Sequence, residues 1–174
     1  MPHYVALVLD ASGSMEPVFG DMQQAAIDLV NAAPPNVQFA VIEFNESLTL
    51  LQPYTADHEQ IINALHRLKI TDGGTCLYDV ALTAAQSLEQ IAQDTPRRAL
   101  IIFTDGQDQV QRGSSQTCSR ITSADLSAYA TDQTHPLPIY TVGIAERETA
   151  VNSRALAQVA AATGGFYQRR RRRF

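Results

Sequence analysis

The sequence contains no tryptophan, only two cysteines and no long apolar run. A helix that crosses a bilayer needs about 20 consecutive apolar residues, and no stretch of this chain approaches that length. The first predicted strand begins at about His3, which leaves no room for a secretory signal peptide of about 15–30 residues. We therefore expect a cytoplasmic protein that does not bind a membrane.

The two cysteines fit a reducing compartment and form no metal-ligand pattern. We expect Cys76 and Cys118 to be free thiols, because nothing in the sequence supports a disulfide between them, although their predicted positions would permit one. The four histidines likewise show no spacing that is typical of metal ligands. Any metal site in this chain would therefore be built from oxygen atoms.

Sequence motifs of several common enzyme classes are missing as well. The chain has no Gly-x-x-x-x-Gly-Lys-Ser/Thr loop, no Gly-x-Gly-x-x-Gly fingerprint and no Gly-x-Ser-x-Gly turn. His135 has no partner in the sequence that would make it a base for a serine nucleophile. We therefore expect a protein without enzymatic activity.

The chain has the size and composition of one compact domain. It has 174 residues, 45% of them hydrophobic, and a net charge of −5. Five of its 13 basic residues form the run Arg169–Arg173, so the remainder carries 8 basic against 18 acidic residues, or −10. We predict a folded domain over residues 3–168 and a basic, solvated tail over residues 169–174. The acidic body disfavours nucleic acid as a partner except through the arginine tail, and we expect a monomer.

Short apolar runs alternate with amphipathic segments, which predicts an α/β fold around a mostly parallel sheet. Only three residues separate the strands predicted at 39–44 and 48–51, too few for a crossover, so this pair must be an antiparallel hairpin. The other predicted strands lie at about 3–9, 99–103, 138–144 and 166–168. The predicted helices lie at about 22–33, 57–69, 77–93, 123–131 and 153–162. The result is a doubly wound sheet with one antiparallel strand and helices on both faces.

Three of the loops that connect these predicted elements are polar. Asp10, Ser12 and Ser14 come directly after the first strand, Thr75 follows two glycines, and Asp105 follows the most apolar strand. The carboxyl ends of parallel strands share one edge of the sheet, where open α/β sheets bind ligands. Two carboxylates and three hydroxyls are donors that suit a hard cation such as Mg²⁺, and Mn²⁺ accepts the same type of site. The alternative is that these residues only form turns and helix caps.

In order, Asp10-x-Ser12-x-Ser14, Gly73-Gly74-Thr75 and Thr104-Asp105-Gly106 resemble the three motif loops of von Willebrand factor type A domains. The resemblance implies a doubly wound, Rossmann-like sheet and a metal-ion-dependent adhesion site. It also implies that Ser12, Ser14 and Thr75 contact a divalent ion directly, while Asp10 and Asp105 hold its water ligands. The expected function is an intracellular, metal-dependent protein interaction in which the ion binds an Asp or Glu of a partner. A Mg²⁺-dependent hydrolase and a scaffold with a purely structural metal are the alternatives.

Residues around these loops receive weaker predictions. We expect Asp79 to cap its own helix, and Glu16 and Asp108 to be solvated at the rim of the site. The polar segment 107–122 has no periodicity and exceeds the usual length of a structureless loop, which is typical of a functional segment. We expect this segment to contribute to a partner-binding surface.

Overall fold

The computed structural model describes residues 1–147 and 150–171, which fold around one six-stranded sheet. The strands are β1 (His3–Asp10), β2 (Val37–Phe44), β3 (Leu48–Thr55), β4 (Arg98–Thr104), β5 (Ile139–Gly143) and β6 (Tyr167–Arg169). The helices are α1 (Phe19–Ala32), α2 (His58–His66), α3 (Leu77–Ala92), α4 (Ser123–Thr131) and α5 (Ser153–Thr163). Among the described residues, no helix is both long and apolar enough to cross a membrane.

The strand order is β3-β2-β1-β4-β5-β6. Every neighbouring pair is parallel except β2 and β3, which form an antiparallel hairpin at the edge of the sheet. The predicted fold class is therefore confirmed, including the antiparallel strand. Because β1 and β4 are neighbours in the centre and run parallel, their carboxyl ends lie side by side.

Helices cover both faces of the sheet, and each face has its own apolar core. Helices α3, α4 and α5 pack on one face around Val8, Leu100 and Ile102, while α1 and α2 pack on the other around Leu7 and Phe103. Successive side chains of a strand point to opposite faces, so the continuous apolar run of β4 supplies both cores. The burial of this run fixes β4 next to β1 and thereby positions the loops that follow them.

The structure shifts several of the predicted boundaries. A 3₁₀ helix over Gly13–Val18 precedes α1, which begins at Phe19 rather than at about residue 22. Strand β6 includes Arg169, and the Arg170 guanidinium donates a 3.1 Å hydrogen bond to Asp28 on α1. The first two arginines of the basic run are therefore part of the folded domain. Arg171 follows as an exposed residue, and residues 172–174 of the predicted tail lie outside the described residues.

The expectation of free thiols is wrong, because Cys76 and Cys118 form a disulfide. Cys76 precedes α3, and the 107–122 loop folds back over that end of the helix, which brings the two Cα atoms to 4.8 Å. The sequence separation of 42 residues carries no information about this contact. The contact depends on the path of the loop, which no local pattern predicts.

Candidate metal centre

The predicted site begins where β1 ends. Asp10 is fully buried, and its carboxylate accepts hydrogen bonds from the Ser12 amide at 3.0 Å and from the Thr104 hydroxyl at 2.6 Å. Thr104 is the last residue of β4, so this bond joins the ends of the two central strands. Thr104 was not among the predicted site residues. Its position directly before Asp105, at the end of the strand next to β1, is the signal that would have identified it.

The serines of the first loop lie against the second carboxylate. The hydroxyl oxygens of Ser12 and Ser14 are 3.2 Å apart, and Ser14 hydrogen-bonds to Asp105 through its side chain. Asp105 is 4% exposed and Ser12 is 1% exposed. The structure therefore brings four of the five predicted residues together in a nearly buried group at the carboxyl edge of the sheet.

The third loop is attached to the other two through its backbone. Ser12 pairs with Thr71 in an isolated β-bridge, and the Thr71 amide donates to the carbonyl oxygen of Ala11 at 2.9 Å. Thr75, which is buried, exchanges two backbone hydrogen bonds of 2.8 and 3.1 Å with Gln109 in the loop that follows Asp105. The third loop thus contacts the Asp10 loop through Thr71 and the Asp105 loop through Thr75.

The turn between β2 and β3 supports this third loop. Asn45 donates a 2.6 Å side-chain hydrogen bond to the Thr71 hydroxyl, and its carbonyl oxygen accepts from the Cys76 amide at 2.9 Å. The Glu46 carboxylate accepts from the Gly74 amide at 3.0 Å. These supporting residues were missed because they lie about 26–28 positions away in sequence.

The close approach of two loop backbones requires a glycine at position 74. A Cβ at this position would lie 2.3 Å from the carbonyl oxygen of Val110 and 2.4 Å from that of Gln109. Real Cβ atoms do not approach backbone atoms so closely, and the Gln109 carbonyl cannot rotate away without breaking its hydrogen bond from the Thr75 amide. Gly74 therefore lets the 107–122 loop pack directly on the loop that carries Thr75.

The 107–122 loop also caps α3, which changes two of the predicted roles. The Ser119 hydroxyl accepts hydrogen bonds from the amides of Tyr78 and Asp79 at 3.0 and 3.1 Å. Asp79 does not cap its own helix; its carboxylate accepts from the amides of Arg120 and Ile121 at 3.0–3.2 Å.

Asp108 differs from its prediction too. One carboxylate oxygen accepts from the amides of Cys118 and Ser119, both at 2.9 Å, so this side chain organises the loop instead of being solvated at the rim. Glu16, by contrast, is exposed in the 3₁₀ helix, as expected. The polar segment is thus an ordered loop whose own acidic residue holds its turns together.

Electrostatics distinguish the two carboxylates of the site from ordinary surface residues. Burial, with a further contribution from the charge of Asp105, raises the pKa of Asp10 to about 7. Burial also raises the pKa of Asp105, while hydrogen bonds from the Gln107 amide and Ser14 and the charge of Arg112 act in the opposite direction. Two buried carboxylates side by side disfavour ionisation, and a bound cation would relieve that cost.

The donor set therefore fits a hard divalent cation. All the groups that converge are oxygens: two carboxylates and the hydroxyls of Ser12 and Ser14. Within residues 1–147 and 150–171, no group of three or more His, Cys, Asp or Glu side chains is placed to hold a metal. The fit thus depends on the serine hydroxyls, and on Thr75 as the predicted fifth member.

A protein-family model matches the sequence. The model of the von Willebrand factor type A domain matches residues 5–107, which is more than half of the chain and includes all three motif loops. No curated protein is significantly similar in sequence.

Solved structures share this fold at low sequence identity. The hypothetical protein BatB from Bacteroides thetaiotaomicron aligns with a TM-score of 0.73 and 18% identity, over 97% of this chain and 90% of that one. The von Willebrand factor type A protein from Catenulispora acidiphila aligns with a TM-score of 0.75 and 22% identity, over 98% and 39% of the two chains. The type V pili tip protein Mfa5 from Porphyromonas gingivalis has a TM-score of 0.73 and 13% identity, over 95% and 46%.

At these identities the structural neighbours show the fold alone. The family model adds evidence from the sequence, because it matches 103 positions, from the first strand to the loop after β4. The chain therefore belongs to the von Willebrand factor type A domain family.

Proposed function

We propose that the chain is a metal-dependent protein-interaction module that binds a carboxylate of a partner protein through a divalent cation, Mg²⁺ or Mn²⁺. The supporting observation is the buried pair of Asp10 and Asp105, with the hydroxyls of Ser12 and Ser14 against it, at the carboxyl ends of neighbouring parallel strands. Domains of this family commonly serve as interaction modules. Binding of the ion and of a partner is our proposal for this chain.

The residue types explain why such an ion would bind an external ligand. In our proposal Ser12, Ser14 and Thr75 contact the ion, and Asp10 and Asp105 orient its water ligands. Neutral hydroxyls leave most of the divalent charge uncompensated, and Mg²⁺ retains several waters in an octahedral shell. A carboxylate from a partner supplies the missing negative charge when it replaces one of these waters.

Two further uses of the same site are the alternatives. A hydrolase would need a group that activates water or attacks the substrate. The described hydrogen bonds of the site are those that the Asp10 carboxylate accepts from a backbone amide and a hydroxyl, and one between two serine hydroxyls. A scaffold with a structural metal would need no external carboxylate. We propose the interaction module because the cavity beside Ser14 and Asp105 is open to an incoming ligand. We further propose that it acts as a monomer. The Cys76–Cys118 disulfide removes the argument from cysteine usage for a cytoplasmic location.

The test separates ion binding from partner binding. Calorimetric titration with Mg²⁺ and Mn²⁺ should show binding by the wild type and a large loss in Ser12→Ala. Immobilised protein should then retain a partner from cell extract in Mg²⁺ and release it in EDTA, and Ser12→Ala should not retain it. A partner that stays bound in EDTA would refute the proposal. Hydrolysis of a generic phosphate ester by the wild type, absent in Ser12→Ala, would favour the hydrolase.

A further inference from the structure

A cavity lies next to the candidate metal centre. It has a volume of about 530 Å³ and is bounded by Ser14 and Asp105 on one side and by Gln107, Arg112 and Arg147 on the others. Cavities of about 300–1,000 Å³ hold small ligands. This cavity is therefore larger than a single carboxylate on an ion requires.

The outer wall of this cavity carries positive charge in an otherwise acidic domain. Outside the Arg169–Arg173 run, the chain has 8 basic and 18 acidic residues, and two of those eight, Arg112 and Arg147, line the cavity. Both are exposed at its surface. Arg112 lines the same cavity as Asp105, the carboxylate that would face the ion. The acidic members of the lining are Asp105 itself and Glu146.

Two loops from different parts of the fold hold these arginines beside the site. The 107–122 loop carries Arg112 and is fixed by the pairing of Gln109 with Thr75. Arg147 lies in the segment after β5, which is attached to the site where the Asn152 amide donates to the carbonyl oxygen of Asp105 at 2.8 Å. Backbone hydrogen bonds to Thr75 and Asp105 therefore anchor the main chain of both loops near the metal centre.

We propose that the partner segment carries two acidic side chains, one for the ion and a second that enters this cavity between Arg112 and Arg147. This inference rests on the proposed function and specifies its partner. The planar guanidinium forms paired, charge-assisted hydrogen bonds with a carboxylate, and Gln107 and Ser114 add polar contacts at the wall. A partner with one acidic residue fills only the ion site. The cavity therefore provides selectivity for partners with two acidic residues.

The probes are short Gly/Ser peptides that contain one Glu, or two Glu separated by one to four residues. Binding is measured by NMR titration of the ¹⁵N-labelled full chain in Mg²⁺ and in EDTA. We expect every peptide to need Mg²⁺, and at one spacing the peptide with two Glu should bind roughly tenfold more tightly, the effect of about 1.4 kcal/mol. This advantage should disappear in Arg112→Ala or Arg147→Ala. It should persist in Arg154→Ala, which removes an exposed arginine of α5.

The possible failures are distinguishable. If binding needs Mg²⁺ but one and two Glu residues bind equally, or if the advantage survives both cavity variants, the inference is refuted and the proposed function stands. If no peptide needs Mg²⁺, the proposed function is refuted and the inference falls with it. Because both arginines are exposed, their replacement should leave the fold intact, and an unchanged melting temperature verifies this.

Discussion

Replacement of Asp10 by Asn should stabilise the metal-free protein and at the same time weaken its response to Mg²⁺. Asn has the same shape, and its amide oxygen can still accept the 3.0 Å hydrogen bond from the Ser12 amide. Its amide nitrogen would face the Thr104 hydroxyl, which can rotate to become the acceptor, since hydroxyl hydrogens turn to suit their partners. The variant therefore removes a buried charge and keeps both contacts of the side chain, and the hydrogens it leaves without an acceptor reduce the gain below its upper limit.

The size and pH dependence of this effect follow from the pKa of Asp10. The folded-state pKa is about 7 against an ordinary value of 3.8, and a difference of about 3 units corresponds to roughly 4 kcal/mol. Because the pKa of Asp10 is raised in the folded state, its favourable contribution to the free energy of unfolding is complete below about pH 4. This contribution is lost as the pH rises through about 7. In EDTA, Asp10→Asn should therefore exceed the wild type in stability by up to roughly 4 kcal/mol at pH 8, and by less at pH 5.

Urea unfolding measures this difference at both pH values, in EDTA and in Mg²⁺. With Mg²⁺ the wild type should gain stability by mass action. The variant should gain less, because loss of a group that orients metal-bound water typically weakens metal binding 10–100-fold. Asp94→Asn, at an exposed position beyond the other end of α3, should change neither result. A variant that is less stable than the wild type in EDTA at pH 8 would refute the electrostatic reasoning, and an undiminished response to Mg²⁺ would refute the role of Asp10 at the ion.

Three further substitutions test how the loops are held. Gly74→Ala should destabilise the protein by about 2–3 kcal/mol in urea unfolding, because the new Cβ displaces the Gln109 carbonyl and disrupts the two backbone hydrogen bonds between Gln109 and Thr75. Gly20→Ala, in open space on α1, should be neutral or stabilising, and equal effects would contradict this explanation. Cys118→Ser should cost about 4 kcal/mol, the chain-entropy value for the 42-residue separation, and an unchanged unfolding midpoint would show that the disulfide contributes nothing. Asp79→Ala should accelerate hydrogen exchange of the two loop amides that its carboxylate binds, whereas slow exchange in that variant would show that other contacts hold the loop.

The elements of the fold could be predicted because their signals are local. The apolar run at 99–103 identifies a central strand by its continuous hydrophobicity, and the three-residue connection after Phe44 identifies an antiparallel hairpin by its length. The helix over 123–131 begins where predicted because Thr122 and Asp125 form a reciprocal cap. The 3₁₀ helix at 13–18 was missed because it contains Gly13 and Pro17, which local patterns associate with loops.

The site could be predicted only in part, because many of its contacts join segments that are distant in sequence. Strand order and parallel direction suffice to bring Asp10 and Asp105 to one edge. The attachment of the third loop depends on Asn45, on Glu46 and on the path of the 107–122 loop, all of which are tertiary contacts between distant segments. The role of Asp79 and the pairing of Cys76 with Cys118 depend on the same path, and both predictions were wrong. The ion itself and the contacts that Thr75 would make with it remain predictions.

The covalent link between α3 and the 107–122 loop also limits how far the chain can be stretched. The segment from Cys76 to Cys118 contains all of β4, so the strand at the middle of the sheet lies inside a closed ring. A pulling force applied at the two ends of the chain would be carried across the sulfur bridge and would never extend this ring. The fully extended length of the oxidised protein is therefore shorter by roughly 140 Å, from 42 residues at about 3.4 Å each, and reduction would release that length as a single additional increment in a force–extension trace.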